Sequence, residues 1–325
     1  MPSILRPLLS TALIAASPAL AAPSLDLAKV SVRPAALHAV KLVMVGDTGA
    51  PASEGGCAAR ADGSVPPGEA CTASAAQRAA LRDAIANEHA DAIFAVGDLV
   101  YPRMPACDGE VDAHADTLAA AFDLFTGPSD PARAPTFLVL GNHDIGQLRG
   151  RSPRRERCAL ALAAKTPPLR MPALQYEVDV GFGKIIVLDS NLRDQTQLPA
   201  AAIREAMDNP LSPWTLVVSH HELRTGWDKE LDGFWEPPPP GRWLVDAGLR
   251  PDLWINGHAH SMQFGVYDAR VADTGRAPAD APTAPVWVPA LTTGARLYCW
   301  TRTKDDPQGA PCGVDPKPAA ASVSN

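Results

Sequence analysis

The sequence lacks a basic excess, paired cysteine motifs and a serine-nucleophile motif. Its 325 residues carry a formal net charge of −7, which argues against binding nucleic acid or a membrane surface through a broad basic face. The six cysteines include no C-x-x-C pair and no zinc-finger spacing. No G-x-S-x-G occurs, which disfavours a serine hydrolase. Hydrophobic residues make up 46% of the chain, enough for a buried core, which argues against global disorder.

A long apolar segment is also missing beyond the first residues. Arg6 is the only charge before the apolar run Leu8–Ala16; Pro18 breaks this run, and small residues surround Ala21. This is the layout of a cleavable signal peptide over residues 1–22, with cleavage after Ala21 or Ala22. The sequence therefore predicts a periplasmic or secreted protein, and no later stretch is apolar enough to insert into a membrane.

All six cysteines follow this segment. An even number of cysteines in an exported protein predicts disulfide bonds. Proximity in sequence favours Cys57–Cys71 and Cys299–Cys312, which leaves Cys107–Cys158. Six cysteines allow other connectivities as well.

Apolar strands alternate with helices through most of the chain. The predicted strands are 39–45, 92–96, 136–140, 184–188, 214–218, 252–255, 264–268, 286–289 and 297–301, and the predicted helices are 73–88, 112–125 and 198–207. This alternation predicts an α/β fold, and near-continuous apolar strands predict sheets that are covered on both faces. We expect one catalytic domain over residues 39–302. The segment 313–325 consists mostly of small residues and proline, and we expect a disordered tail.

Polar clusters follow strand after strand, and they contain five of the eight histidines. The clusters read GDTG, GDLVY, GNHD, SHH and GHAH. Each motif alone is common in turns or solvated loops, but the ordered set indicates a metal site, because carboxylate, imidazole and amide groups are ligands for hard and borderline metals. The candidate residues are Asp47, Asp98, Tyr101, Asn142, His143, His220, His258 and His260.

These five blocks, in this order, resemble those of the calcineurin-like metallophosphoesterases. The purple (tartrate-resistant) acid phosphatase branch is the closer match. Asp47 is followed by Thr48-Gly49 where general members carry Asp-x-His, and Tyr101 stands three residues after Asp98. The resemblance spans about residues 40–300 and implies a four-layer α-β-β-α sandwich. In it, two mixed sheets are flanked by helices, with a dinuclear metal site at the carboxyl ends of the strands.

The resemblance also implies a ligand set. One metal is bound by Asp47, Tyr101 and His260, the other by Asn142, His220 and His258, and Asp98 bridges the two. A tyrosine with an ordinary pKa of about 10 is a poor ligand unless the metal is strongly acidic. We therefore expect Fe³⁺ at the tyrosine site, with Zn²⁺, Fe²⁺ or Mn²⁺ at the second site.

Other residues receive roles around the substrate. The resemblance implies that His143 is not a ligand but hydrogen-bonds the phosphate or protonates the leaving group. His221 is expected to line the substrate pocket, and Asn191 is either a substrate contact or a surface turn. Asp144 either orients His143 or a ligand histidine, or it is a plain turn or cap residue.

The implied function is hydrolysis of phosphate esters, above all phosphomonoesters, by a hydroxide held at a dinuclear metal centre. A phosphodiesterase or phospholipase-like hydrolase on the same site is the first alternative. A metal-binding protein that has lost catalysis is the second, although the complete ligand set and His143 count against it. The expected partner is a small phosphate ester, with no obligate protein partner evident. The first block departs from the branch at Ala50-Pro51, which bears on substrate choice.

Overall fold

The computed structural model describes most of the predicted catalytic domain. It describes residues 27–34, 39–49, 71–72, 75–101, 104–107, 111–126, 134–145, 152–181, 183–192, 197–223, 240–259, 262–270, 286–293 and 298–299. The predicted signal peptide, the predicted tail, His260, Cys57 and Cys312 lie outside these ranges.

Strands and helices alternate as the sequence predicts. The strands are β1 (Ala28–Ser31), β2 (Leu42–Val45), β3 (Cys71–Thr72), β4 (Ala92–Val96), β5 (Thr136–Val139), β6 (Leu169–Arg170), β7 (Tyr176–Asp179), β8 (Gly183–Val187), β9 (Trp214–Val218), β10 (Leu253–Asn256), β11 (Met262–Asp268), β12 (Trp287–Thr293) and β13 (Tyr298–Cys299). The helices are α1 (Ala75–Asn87), α2 (Ala115–Thr126), α3 (Asn142–Ile145), α4 (Pro153–Lys165), α5 (Ala200–Met207) and α6 (Pro240–Asp246), and a 3-10 turn (Val111–His114) precedes α2.

Two sheets carry the fold. The smaller has the order β2-β4-β5-β6, and all of its pairings are parallel. The larger has the order β1-β7-β8-β9-β10-β12-β11 and is mixed, because β7 with β8 and β11 with β12 pair antiparallel. A short antiparallel ribbon of β3 and β13 stands beside them.

Side chains of the larger sheet separate into two hydrophobic cores, as period-two alternation requires. Ile185 and Val187 of β8 join one core with the smaller sheet and helices α1, α2 and α4. Ile186 between them joins the other core with α5 and α6. The order of layers is therefore helix, small sheet, large sheet, helix, which confirms the predicted α-β-β-α sandwich.

Several elements were not expected from the sequence. Strands β1, β6 and β7 and helices α4 and α6 were not predicted. Strand β12 continues to Thr293 instead of ending at Pro289. Pro289 is tolerated inside this strand, although proline is normally confined to strand edges, strand starts or bulges.

A disulfide joins Cys107, in the loop after Tyr101, to Cys158 on α4. This is one of the three predicted pairs. The other two stay predictions, since Cys57 and Cys312 lie outside the described residues. The β3–β13 register places the backbone of Cys299 opposite that of Cys71.

Among the described residues, no helix has the length and apolar character that crossing a bilayer requires.

The Cys107–Cys158 bond closes a loop with a sequence separation of 51 residues. Replacing both cysteines with serine should lower the free energy of unfolding by up to about 4 kcal/mol, because the unfolded chain regains the entropy of that loop. Urea denaturation of the oxidised wild type and the double variant measures the difference. Peptide mapping without reduction is the control, and a map that links Cys107 to another cysteine would contradict this pairing.

Candidate metal centre

The predicted motifs meet at one edge of the sandwich. Three of them follow β2, β4 and β5 of the small sheet, and two follow β9 and β10 of the large sheet. Parallel strands end on the same side of a sheet, so polar groups placed after them are brought together. The predicted site residues within the described ranges are all buried: Asp47, Asp98, Tyr101, Asn142, His143, His220 and His258.

Three of these residues have left-handed backbone conformations. The φ angles are 58° at Asp47, 52° at Asp98 and 68° at His258. Such conformations cost on the order of 1 kcal/mol or more for residues other than glycine, and they concentrate at functional sites. Hydrogen bonds between the first two loops support them: Asp47 N–H donates to the Gly97 carbonyl (3.0 Å) and Gly49 N–H donates to the Asp98 carbonyl (3.1 Å).

Glycine is required at two positions because side chains from other loops approach the backbone closely. A Cβ on Gly97 would overlap the ring of His220, and one on Gly141 would overlap the Asp98 carboxylate and backbone nitrogen. Gly97 also has a φ of 80°, which suits glycine. These two glycines let the Asp98 and His220 side chains come together.

Asp98 contacts side-chain and backbone groups of several motifs. Its Oδ2 accepts a hydrogen bond from the Tyr101 hydroxyl (2.8 Å), and its Oδ1 accepts one from the His143 backbone N–H (3.0 Å). The His220 Nε2 lies 3.3 Å from Oδ1. Asp98 therefore contacts groups from the second, third and fourth motifs.

Asp47 links the first motif to the fifth. Its carboxylate accepts the His258 backbone N–H at 2.9 and 3.2 Å. The Tyr101 hydroxyl lies 3.5 Å from Asp47 Oδ1. All five motifs are thus in contact through described residues, although His260 of the fifth lies outside them.

The ring of His220 is oriented with Nε2 toward the side-chain oxygens of Asp98 and Asn142. Its Nδ1 lies 3.1 Å from the Val96 carbonyl, and since a carbonyl only accepts, Nδ1 is the donor in this hydrogen bond. Nε2 lies 2.9 Å from Asn142 Oδ1. A metal-binding histidine commonly donates its other N–H to a backbone carbonyl in this way.

Negative charges predominate around His220. Burial alone would lower the pKa of His220, but the carboxylates of Asp98 and Asp47 outweigh it and raise the pKa to about 9. Burial, together with Asp98 and Asp47, raises the pKa of the Tyr101 phenol well above its ordinary value. The cluster therefore attracts positive charge, and bound cations would reverse the effect on the phenol.

Asp98, His220 and His258 form a buried group whose potential ligand atoms lie within 4.8 Å of one another. The rings of His258 and His220 meet edge to face, with centroids 5.0 Å apart. His143 packs edge-on against Tyr101, with centroids 4.5 Å apart. The oxygen and nitrogen donors fit a borderline or hard metal cation.

Asp144 binds backbone groups of two motifs, whereas the sequence left open whether it orients a histidine or is a plain turn or cap residue. Its Oδ1 accepts the N–H groups of Leu99 (2.8 Å) and Val100 (3.0 Å), and its Oδ2 accepts that of Gly141 (2.8 Å). Burial and the charge of Asp98 raise the pKa of this carboxyl to about 7, and the backbone donors act in the opposite direction. Asp144 therefore joins the loop that carries Asp98 to the loop that carries Asn142.

His221 and Asn191 are both buried beside the site. The ring centroid of His221 lies 4.7 Å from that of His258, and its Nδ1 lies 3.0 Å from the Ser190 hydroxyl. The Asn191 amide nitrogen donates to the Leu140 carbonyl and to Asp189, both at 2.9 Å. Their predicted contacts with substrate stay predictions.

Two buried residues beside the site were not identified from the sequence. The Ser190 hydroxyl contacts the Nδ1 of His221, and it accepts a hydrogen bond from the His221 backbone N–H at 3.0 Å. Arg78 donates to the Thr48 carbonyl of the first motif. A signal for Arg78 existed, because it shares a helix face with Leu81 and Ile85, where a charge is unusual.

Comparison with known proteins gives one family match. The model of the calcineurin-like phosphoesterases matches residues 40–262. No curated protein matches the chain.

Solved structures show more distant likeness. The purple acid phosphatase PPD1 from yellow lupin (Lupinus luteus) seeds has 19% identity and a TM-score of 0.46, over 81% of this chain and 46% of that one. A structure of PhoD has 12% identity and a TM-score of 0.44, over 79% and 56%. Phosphopantetheinyl hydrolase (PptH) from Mycobacterium tuberculosis has 12% identity and a TM-score of 0.37, over 83% and 98%. The chain thus spans about half the length of the first two proteins.

Asp144→Asn should destabilise the protein, because the asparagine NH₂ group cannot accept a backbone N–H where a carboxylate oxygen did. We expect the free energy of unfolding to fall by about 1–3 kcal/mol, as measured by urea denaturation. Asp112→Asn, at an exposed ion pair with Lys165, is the control and should cost less than about 1 kcal/mol. Equal losses in the two variants would contradict the role of Asp144.

Proposed function

The chain belongs to the calcineurin-like phosphoesterase family, and from that premise we propose that it hydrolyses phosphomonoesters at a dinuclear metal centre of the purple acid phosphatase type. One observation carries the proposal: groups from separate motifs converge on the buried Asp98 carboxylate. Burying carboxylates and imidazoles together is costly unless a cation or shared protons compensate their charge.

The donor types support two adjacent cation positions. The Tyr101 hydroxyl contacts Asp98 Oδ2 and lies 3.5 Å from Asp47, and we propose that Asp47 and Tyr101 hold Fe³⁺ together with His260. His220 Nε2 lies 3.3 Å from Asp98 Oδ1 and 2.9 Å from Asn142 Oδ1, and we propose that Asn142 and His220 hold Zn²⁺, Fe²⁺ or Mn²⁺ together with His258. Bound there, the two cations would supply positive charge for the phosphate and lower the pKa of a water from about 15.7 to about 7.

We propose that His143 acts on the substrate. Its backbone N–H is held by Asp98 (3.0 Å) and its ring rests against Tyr101. Its Nε2 lies 4.0 Å from Asp98 Oδ2, beyond hydrogen-bonding distance. We assign His143 to hydrogen bonding of the phosphate or to protonation of the leaving oxygen.

The same proposal includes export to the periplasm or the exterior, with loss of residues 1–22. The Cys107–Cys158 disulfide supports it, because such bonds persist in oxidising compartments.

A substrate panel with His143→Ala tests the proposed activity. Wild type should bind two metals per chain and hydrolyse p-nitrophenyl phosphate faster than bis(p-nitrophenyl) phosphate. His143→Ala should keep both metals and lose about 10²–10⁴-fold in kcat if His143 is a general acid. His114→Ala, in the turn before α2, is the matched control and should keep wild-type turnover.

Three outcomes of that panel would change the assignment. Faster hydrolysis of the diester than of the monoester would favour a phosphodiesterase. Metal binding without any hydrolysis would favour a protein that has lost catalysis. Unchanged turnover in His143→Ala would show that this histidine has no role in the mechanism.

Tyr101→Phe tests the ferric site. A phenolate bound to Fe³⁺ absorbs visible light, so wild type purified without chelators should be purple or pink and contain iron. Tyr101→Phe should be colourless. Tyr267→Phe, a tyrosine packed against the core of α5 and α6, is the control and should keep the colour. A coloured Tyr101→Phe protein would show that this tyrosine does not bind iron.

A further inference from the structure

Arg78 of α1 is a charged residue inside the core. It is 1% exposed, and its guanidinium spans the space between the first motif and helix α2. Nη1 donates to the Thr48 carbonyl at 2.7 Å, and Nη2 donates to the Ala121 carbonyl at 3.1 Å. Nε donates to Asp123 at 3.1 Å, and Nη2 forms an ion pair with the same carboxylate.

Burial of this guanidinium requires compensation. Removing an ion from water costs several kcal/mol unless its charge is paired and its donors are satisfied. Asp123 supplies the paired charge, and the carbonyls supply the remaining acceptors. The planar guanidinium can bind both sides at once because its donors diverge in a rigid fork.

The Thr48 carbonyl that Arg78 binds is next in sequence to a proposed metal ligand. Thr48 follows Asp47, whose backbone is left-handed. The neighbouring Asp47 N–H and Gly49 N–H are held by carbonyls of the second motif. Arg78 holds the carbonyl between them from the helical layer, so the loop is fixed by separate elements at Asp47, Thr48 and Gly49.

We propose that Arg78 is a positioning residue for Asp47, acting through the Thr48 carbonyl, and that it sets the affinity of the metal bound by Asp47. This inference rests on the proposed metal-binding function. Without the Nη1 bond, the Thr48 carbonyl is buried with one acceptor interaction removed, and the left-handed Asp47 loses one of its constraints.

Arg78→Met tests the proposal by metal affinity. Calorimetric titration of the oxidised, metal-free full-length protein with Zn²⁺ should show one binding step weakened by about 10–100-fold, the loss typical of removing a group that supports a ligand. Arg270→Met is the matched control, because Arg270 also pairs with an aspartate, Asp268, at the end of β11 away from the site. It should bind Zn²⁺ as wild type does.

Arg78→Lys is a second test of the proposal, for the case in which Arg78→Met does not fold. A lysine ammonium has no fork and is drawn to the Asp123 carboxylate, so the ion pair is kept while the Thr48 carbonyl is released. We expect Arg78→Lys to weaken the same Zn²⁺ step. A folded Arg78→Lys protein with wild-type Zn²⁺ affinity would overturn the proposal.

A double-variant cycle shows whether Arg78 acts through Asp47. If it does, adding Arg78→Lys to Asp47→Ala should leave Zn²⁺ affinity within about threefold of Asp47→Ala alone. If the two substitutions lower Zn²⁺ affinity independently, so that their fold-losses multiply in the double variant, the proposal is overturned. The visible bands of Co²⁺-loaded protein, which report ligand geometry, should change in Arg78→Lys and not in Arg270→Met.

Failure of the proposed function and failure of the positioning role give different results. If wild type binds no Zn²⁺ and hydrolyses no phosphate ester, the proposed function fails. If wild type does both and the Arg78 variants match it, only the positioning role fails.

Discussion

The carboxylate of Asp98 lies in the protein interior with a phenol, a backbone N–H and an imidazole around it. Burial opposes its charge, yet the neighbouring histidines His220 and His143 lower its pKa well below the ordinary value, while Asp98 raises the pKa of His220 in return. The groups thus depend on one another for charge balance. This mutual dependence constrains the rest of the structure, because every loop must deliver its side chain to the same small volume.

The sandwich brings these loops together at one edge. Strands of two sheets end on the same side, and the loops that follow are joined by main-chain hydrogen bonds such as Tyr101 N–H to the Gly49 carbonyl (3.2 Å). The left-handed residues are kept in place because the surrounding packing and bonds determine their conformation. Asp144 and Arg78 complete the framework from two directions, one through backbone N–H groups and the other through a backbone carbonyl.

Much of this framework could be predicted from the sequence. The strands 92–96 and 214–218 were predicted with their observed bounds, because short apolar runs bounded by glycine or polar residues are strong local signals. Strand β7 was missed, since its sequence YEVD has two charges, and their pairing with Lys184 is visible only in the structure. Asp144 was predicted near the site, but its partners Leu99 and Val100 are far away in the chain.

The sequence alone determined the order of the strands that carry the five motifs and the residue types of the candidate metal centre, because both are encoded in local patterns of apolar runs followed by Asp, Asn, Tyr or His. The tertiary structure alone decided the left-handed conformations, the orientation of the His220 ring and the burial of Arg78. Each of these depends on contacts between residues distant in the chain, such as Arg78 with Thr48 and His220 with Val96, and no local pattern encodes a contact of that kind.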